Sequence, residues 1–200
     1  MLVDALAKRG AKVKEIEPKL DTRRLHEVYV LLLRAATSAR TPDADIARWR
    51  AAEAEHGIEE APYLDLMIRG NTLAHRDWLN LNDERHAFRR KFADFFLGWD
   101  ILLCPAAASA AWHHDHQGER WQRKITVNNK PVPTTDQLFW AGYPSVVYLP
   151  STVGPAGLTR SGLPVGYQAI AASGRDKTAT AFARLVEREI CGFTPPPGYE

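Results

Sequence analysis

The chain has 200 residues, 45% of them hydrophobic and 25% charged. That balance belongs to a folded globular protein with one sizeable core, and excludes a disordered or fibrous one. The 26 basic and 24 acidic residues leave a net charge of +2, which supplies no general attraction to nucleic acid or anionic lipid. The longest apolar runs reach only about eight residues, far short of a membrane span. Cys104 and Cys191 are distant and lie in apolar surroundings, which fits a reducing compartment better than a disulfide framework. The start at Met1-Leu2-Val3-Asp4 has no leader pattern. The expectation is a cytoplasmic protein with no cofactor, no nucleic-acid partner and no membrane partner.

Residues 2–9 read as the end of a helix, broken by Gly10. Lys12 to Glu17 alternates polar and apolar residues and predicts a strand closed by Pro18. Residues 21–39 have helical spacing, with Leu25, Val28 and Leu32 on one face beside Tyr29 and Leu33. Asp21 or Thr22 is the expected N-cap. After the break at Thr41-Pro42-Asp43, residues 43–55 predict an Ala-rich, charged helix, and Ala61-Pro62 opens another. Residues 72–97 carry the strongest helical signal. Ala74, Trp78, Leu81, Arg85, Phe88, Phe92 and Phe95 recur at alternating steps of four and three, which marks a core-facing stripe. Arg85, Arg89, Arg90 and Lys91 lie beside Asp83, Glu84 and Asp94, and read as a solvated, salt-bridged face.

The texture then changes. Asp100 to Cys104 is a continuously apolar strand stopped by Pro105, the pattern of a strand buried on both faces. Residues 106–123 form a loop rich in Ala, His and Trp. Lys124 to Val127 and Lys130 to Val132, around Asn128-Asn129, read as a hairpin. A short helix follows over residues 134–141. A second buried strand is expected at Ser145 to Leu149, a loop at residues 151–163, and a third strand at Pro164 to Ile170. Asp176 to Ile190 is a closing helix with Ala179, Phe182, Leu185, Val186 and Ile190 turned inward. The layout is one domain over residues 1–192 and a Pro-rich tail over 193–200. Within the domain, residues 1–98 are mainly helical after an initial strand, and 99–192 hold strands, hairpin and closing helix. Helices between short strands without alternation indicate an α/β layered fold.

Three segments in order resemble one family. Gly98-Trp99-Asp100-Ile101-Leu102-Leu103-Cys104-Pro105 resembles the amidase-signature strand that runs into Thr-Pro. Leu138 to Pro150, through Gly142-Tyr143-Pro144, is similar to that family's Asn-Leu-Thr-Gly-Leu-Pro-Ala element. Gly162-Leu163-Pro164-Val165-Gly166-Tyr167-Gln168 resembles its Gly-Leu-Pro-Val-Gly-Leu-Gln element. The resemblance implies a mixed sheet flanked by helices, of which this chain is an incomplete, C-terminal part, and it implies amide C–N hydrolysis or acyl transfer. That chemistry uses a Ser nucleophile, a second bridging Ser and a Lys, because a Ser hydroxyl is a weak nucleophile without a neighbour to take its proton. The Ser residues lie in a Gly/Ser-rich segment in the N-terminal half of the family's chain. No Gly-Gly-Ser-Ser or Gly-Ser-Ser run occurs here, and Lys8, Lys12, Lys14 and Lys19 match no catalytic Lys segment. No catalytic residue carries over. The expected substrate-pocket wall is Cys104, Pro105, Trp140 and Tyr143, with Cys104 where the family usually has Thr.

Three readings follow. In the first the chain is an amidase segment, inactive alone, that either joins a partner carrying the N-terminal amidase half or is a portion of a longer protein, and acts on a small amide. In the second it is a non-catalytic binding or scaffold remnant. In the third His113, His114 and His116, with Asp115, hold a metal, though a structural zinc site needs four ligands and no matching pair lies elsewhere. A Ser triad could also be drawn from Ser145 or Ser151, a loop His and Asp136. Apolar strands without partners on both sides predict self-association, as a homo-oligomer.

Overall fold

The computed structural model describes residues 2–55, 62–196 and 198–199, without the side chains of 52–55. Ala61, where the sequence opens a helix, and part of the Pro-rich tail lie outside the described residues. The N-terminal half is helical: α1 (Leu2–Lys8), α2 (Thr22–Thr37), α3 (Asp43–Glu55), α4 (Pro62–Asn71) and α5 (His75–Phe95). The C-terminal half adds β1 (Leu102–Pro105), the hairpin β2 (Lys124–Val127) and β3 (Lys130–Pro133), α6 (Leu138–Ser145), β4 (Ser151–Leu158), β5 (Pro164–Ile170) and α7 (Asp176–Glu189).

One antiparallel sheet has the order β1-β5-β4, and β2-β3 stands apart. The period of two along β5 divides the molecule into layers. Tyr167 and Ala169 point to one side, where Leu6 of α1 and Val186 of α7 complete a small core. Ile170 points to the other, into a larger core with Leu25, Val28, Leu31 and Leu32 of α2, Leu81, Phe88 and Phe92 of α5, and Tyr143, Val146 and Val147. The strand β1 alternates in the same way: Leu103 joins the small core, while Leu102 and Cys104 join the large one.

Most helices form where the residue spacing predicts them. Asp21 caps α2 by accepting a 3.0 Å hydrogen bond from the Arg24 backbone N–H. Of the predicted stripe on α5, Leu81, Phe88 and Phe92 are buried, and Phe92 is fully enclosed. Close packing of α4 on α2 needs Gly70, since a Cβ there would meet the Arg34 Cβ at 2.6 Å. The hairpin turns on Asn128 (φ +50°) and Asn129 (φ +62°), the left-handed pair that a two-residue type I′ turn requires.

The structure corrects several expectations. Residues 11–18 form no strand: no neighbouring strand offers them a hydrogen-bond ladder among the described residues, so alternation alone leaves them irregular. Ser145 to Leu149 is not a strand. The backbone N–H of Val146 bonds Gly142 O at 3.0 Å and that of Leu149 bonds Pro144 O at 3.1 Å, and Tyr148 sits at φ +57°. Val146 and Val147 are buried because a helix end and turn carry them into the core, not because a strand does. The expected loop 151–163 instead supplies β4, whose Gly154, Pro155 and Gly157 are accommodated at an edge with a register shift between Pro155 and Gly157. The strand at Cys104 is an outer strand of the sheet and only half-buried. On α7, Ala179 and Val186 are buried as expected, but Leu185 is 41% exposed.

Candidate active-site wall

The backbone carbonyl of Trp140, on the first turn of α6, faces the middle of β5. There Gln168, only 5% exposed, stands among apolar neighbours. A buried amide needs partners, and Gln168 has them. Its Nε2–H donates to Trp140 O at 3.1 Å and to Cys104 Sγ at 3.4 Å, and its Oε1 accepts from the Ser151 hydroxyl at 2.9 Å. The Cys104 thiol lies 3.7 Å from the Gln168 backbone carbonyl. One side chain thus links the sheet's three strands to α6.

Tyr143 lies one turn along α6 from Trp140, with their ring centres 5.9 Å apart, and Phe92 meets the Tyr143 edge at 5.4 Å. Burial pushes the Tyr143 phenol up to about 12, with smaller contributions from Cys104 and Glu17. Three of the four expected wall residues, Cys104, Trp140 and Tyr143, are therefore gathered at one place. Pro105 is exposed at the end of β1, opposite Tyr167 in register, and joins no part of the Gln168 network. Sequence reasoning misses Gln168 as a site residue, although a Gln inside an otherwise apolar strand is the signal that could have found it.

Neither Cys104 nor the two nearby Ser hydroxyls is set up for nucleophilic attack in this arrangement. Burial raises the Cys104 thiol's pKa, opposed in part by the hydrogen bond from Gln168. A thiol held neutral is a poor nucleophile. Ser151 spends its hydroxyl on Gln168, and Ser145 donates to Ala141 O at 2.6 Å within its own helix. Asp136 is coupled to His26 and not to the histidine loop; burial raises its pKa and His26 lowers it. No Ser–His–Asp arrangement is assembled from these residues. His113, His114 and His116 are exposed, the last two rings meeting at 5.9 Å. Among the described residues no group of three or more His, Cys, Asp or Glu side chains gathers to hold a metal.

The strand ending in Cys104-Pro105, the Gly142-Tyr143-Pro144 segment at the core end of α6 and the strand carrying Gln168 are the three segments on which the amidase resemblance rests, and the structure brings them together around one amide. A family model described as Amidase matches residues 1–179. The chain belongs to the Amidase family. A glutamyl-tRNA(Gln) amidotransferase subunit of Methylocella silvestris is 32% identical over 110 residues, 55% of this chain and 20% of that protein. A crystal structure of an amidase superposes with a TM-score of 0.66 at 22% identity, covering 94% of this chain and 40% of that one. A bacterial aryl acylamidase gives 0.67 at 16% identity, covering 98% and 41%. The glutamyl-tRNA(Gln) amidotransferase subunit of Thermotoga maritima gives 0.61 at 17% identity, covering 100% and 40%. At these identities the solved structures establish the amidase fold. This amidase-family chain spans about 40% of their length. No described helix is long and apolar enough to cross a membrane.

Proposed function

We propose that this chain is the C-terminal, substrate-walling segment of an amide C–N hydrolase, and that it has no hydrolytic activity by itself. The reading rests on one observation: the amidase family model matches residues 1–179, yet no Gly-Ser-Ser run occurs among the 200 residues. Cys104, Trp140 and Tyr143 would line one side of the pocket, and Gln168 would set their positions. The Ser nucleophile, bridging Ser and Lys would come from an N-terminal amidase segment, and the substrate would be a small amide.

The sheet supports the need for such a neighbour. Both outer strands, β1 and β4, have one edge without a partner strand among the described residues, and Val153 and Leu158 of β4 are 59% and 70% exposed. Open, apolar edges recruit strands. In the absence of the N-terminal segment, the isolated chain would self-associate as a homo-oligomer, most simply a dimer. The cytoplasm is the proposed location.

Ammonia release from a panel of aliphatic and aromatic amides tests the reading, after circular dichroism confirms a folded chain. No release is expected from the chain alone. Release abolished by a fluorophosphonate would reveal a serine nucleophile in this chain and overturn the proposal. Light scattering at about tens of micromolar, where a dimer of micromolar affinity is populated, tests the edge argument. A clean monomer would defeat it.

A further inference from the structure

Of the basic cluster on the long helix, Arg90 and Lys91 are exposed as the sequence suggests, but Arg85 and Arg89 are half-buried and turned elsewhere. Arg85 and Arg89, one turn apart on α5, both reach the ring of Tyr148 in the turn after α6. The guanidinium carbon of Arg85 is 4.5 Å from the ring centre and that of Arg89 is 5.4 Å. Neither guanidinium is paired with a carboxylate among the described residues. The adjacent acid, Glu84, is taken by Arg24 through two hydrogen bonds of 2.8 Å.

Most of the donors remain unspent. A guanidinium carries five N–H groups in a planar fork. Arg85 donates one from Nη2 to the Asn82 side-chain carbonyl, and its Nε–H is buried without a partner. Arg89 Nη1 lies 3.2 Å from His86 Nδ1. Tyr148 is 54% exposed and sits at φ +57°, a conformation that a bulky non-glycine residue rarely takes. The turn holds it there, with its backbone N–H 3.2 Å from Ser145 O. Two like charges are thus crowded onto one half-exposed ring, with free donors and no counter-charge.

We propose that Arg85, Arg89 and Tyr148 form a binding site for a small oxyanion of the phosphate or carboxylate type. The forks supply charge-assisted hydrogen bonds, the strongest class available to such an anion. The Tyr148 hydroxyl is a further donor, and the ring holds both cations in place through its π face. A bound anion neutralises the repulsion between the two guanidiniums. The site is separate from the Gln168 network, and the proposal does not depend on the hydrolase reading.

Isothermal titration calorimetry of the full chain tests it, with inorganic phosphate in one arm and succinate in the other, at ionic strength fixed with chloride. Saturable binding of at least one anion is expected. Phosphate binding alone assigns the phosphate type, succinate alone the carboxylate type, and both a general oxyanion site. The double variant Arg85→Gln with Arg89→Gln should weaken binding at least about tenfold, the scale of a lost charge-assisted pair. Arg90→Gln, at an exposed position on the same helix, should leave it unchanged. Should the double variant fail to fold, Arg85→Lys decides, because it keeps the charge and loses the fork: weaker binding supports the site and unchanged binding refutes it. No saturable binding of either anion to the folded wild-type chain, or equal binding by the double variant, overturns the proposal.

Discussion

The Gln168 side-chain amide donates a 3.1 Å hydrogen bond to the backbone carbonyl of Trp140, and so fastens the centre of β5 to the first turn of α6. The same side chain accepts from Ser151 on β4 and approaches Cys104 on β1. Replacing it with Leu keeps the approximate volume and removes every one of these bonds. The part-buried Trp140 carbonyl then loses this partner, at a cost of about 1–3 kcal/mol at most. Gln168→Glu should cost more, because an ionised carboxylate offers no donor to that carbonyl. Urea unfolding followed by Trp fluorescence measures both. A Gln168→Leu midpoint equal to wild type would show that the network contributes nothing.

Gly142 lies against the Tyr29 ring. A Cβ at this position would stand 2.3 Å from Tyr29 Cδ1 and 2.7 Å from Cγ. Gly142→Ala gains about 1 kcal/mol of helix propensity at most, but the overlap with a ring held on α2 costs about 1–3 kcal/mol or more. Net destabilisation is expected. Pairing it with Tyr29→Leu should recover part of the loss, a non-additivity that a double-mutant cycle reads directly.

His26 packs against Phe139, with ring centres 5.7 Å apart. Burial lowers its pKa below the ordinary histidine value, while Asp136 and Glu27 pull it partly back. A histidine depressed in the folded state is penalised when it protonates. Its contribution is complete above the unfolded value of about 6.5 and is lost as pH falls through that value toward the folded pKa. Asp136 acts in the opposite sense, since its raised pKa restores some stability as it protonates at lower pH. The melting temperature of wild type should therefore decline from about pH 7 to about pH 5 more steeply than that of His26→Gln. Parallel curves would remove His26 from the account.

Phe92 is fully buried where α5 meets Tyr143 and α2. Phe92→Ala opens a cavity in the larger core and should cost about 3–5 kcal/mol. Leu185 is apolar too, but it lies on the outer face of α7 at 41% exposure. Leu185→Ala should stay within about 0.5 kcal/mol of wild type. Equal losses at the two positions would contradict the burial pattern.

The residue order by itself determined the helices, because a 3.6-residue apolar period is a local property that shows in any window of Leu25 to Leu32 or Leu81 to Phe92. It also determined the Asn128-Asn129 hairpin, the strand at Pro164 to Ile170, and the family, through three short segments in order. That Cys104, Trp140 and Tyr143 belong to those segments was legible in the sequence; that they come together was not. Tertiary structure alone decided the rest. Alternation at Lys12 to Glu17 yields no strand without a neighbour to complete its ladder. In the run Ser145 to Leu149, Val146 and Val147 are buried on a helix end and turn, since an apolar run does not say which backbone carries it. A strand forms instead at Ser151 to Leu158, where β5 supplies hydrogen bonds to a Gly- and Pro-containing stretch of weak intrinsic preference. Gln168 becomes a hub, and Arg85 and Arg89 converge on Tyr148, only because residues far apart in the chain meet in space. Such meetings are set by packing between layers, and no local pattern of residues encodes them.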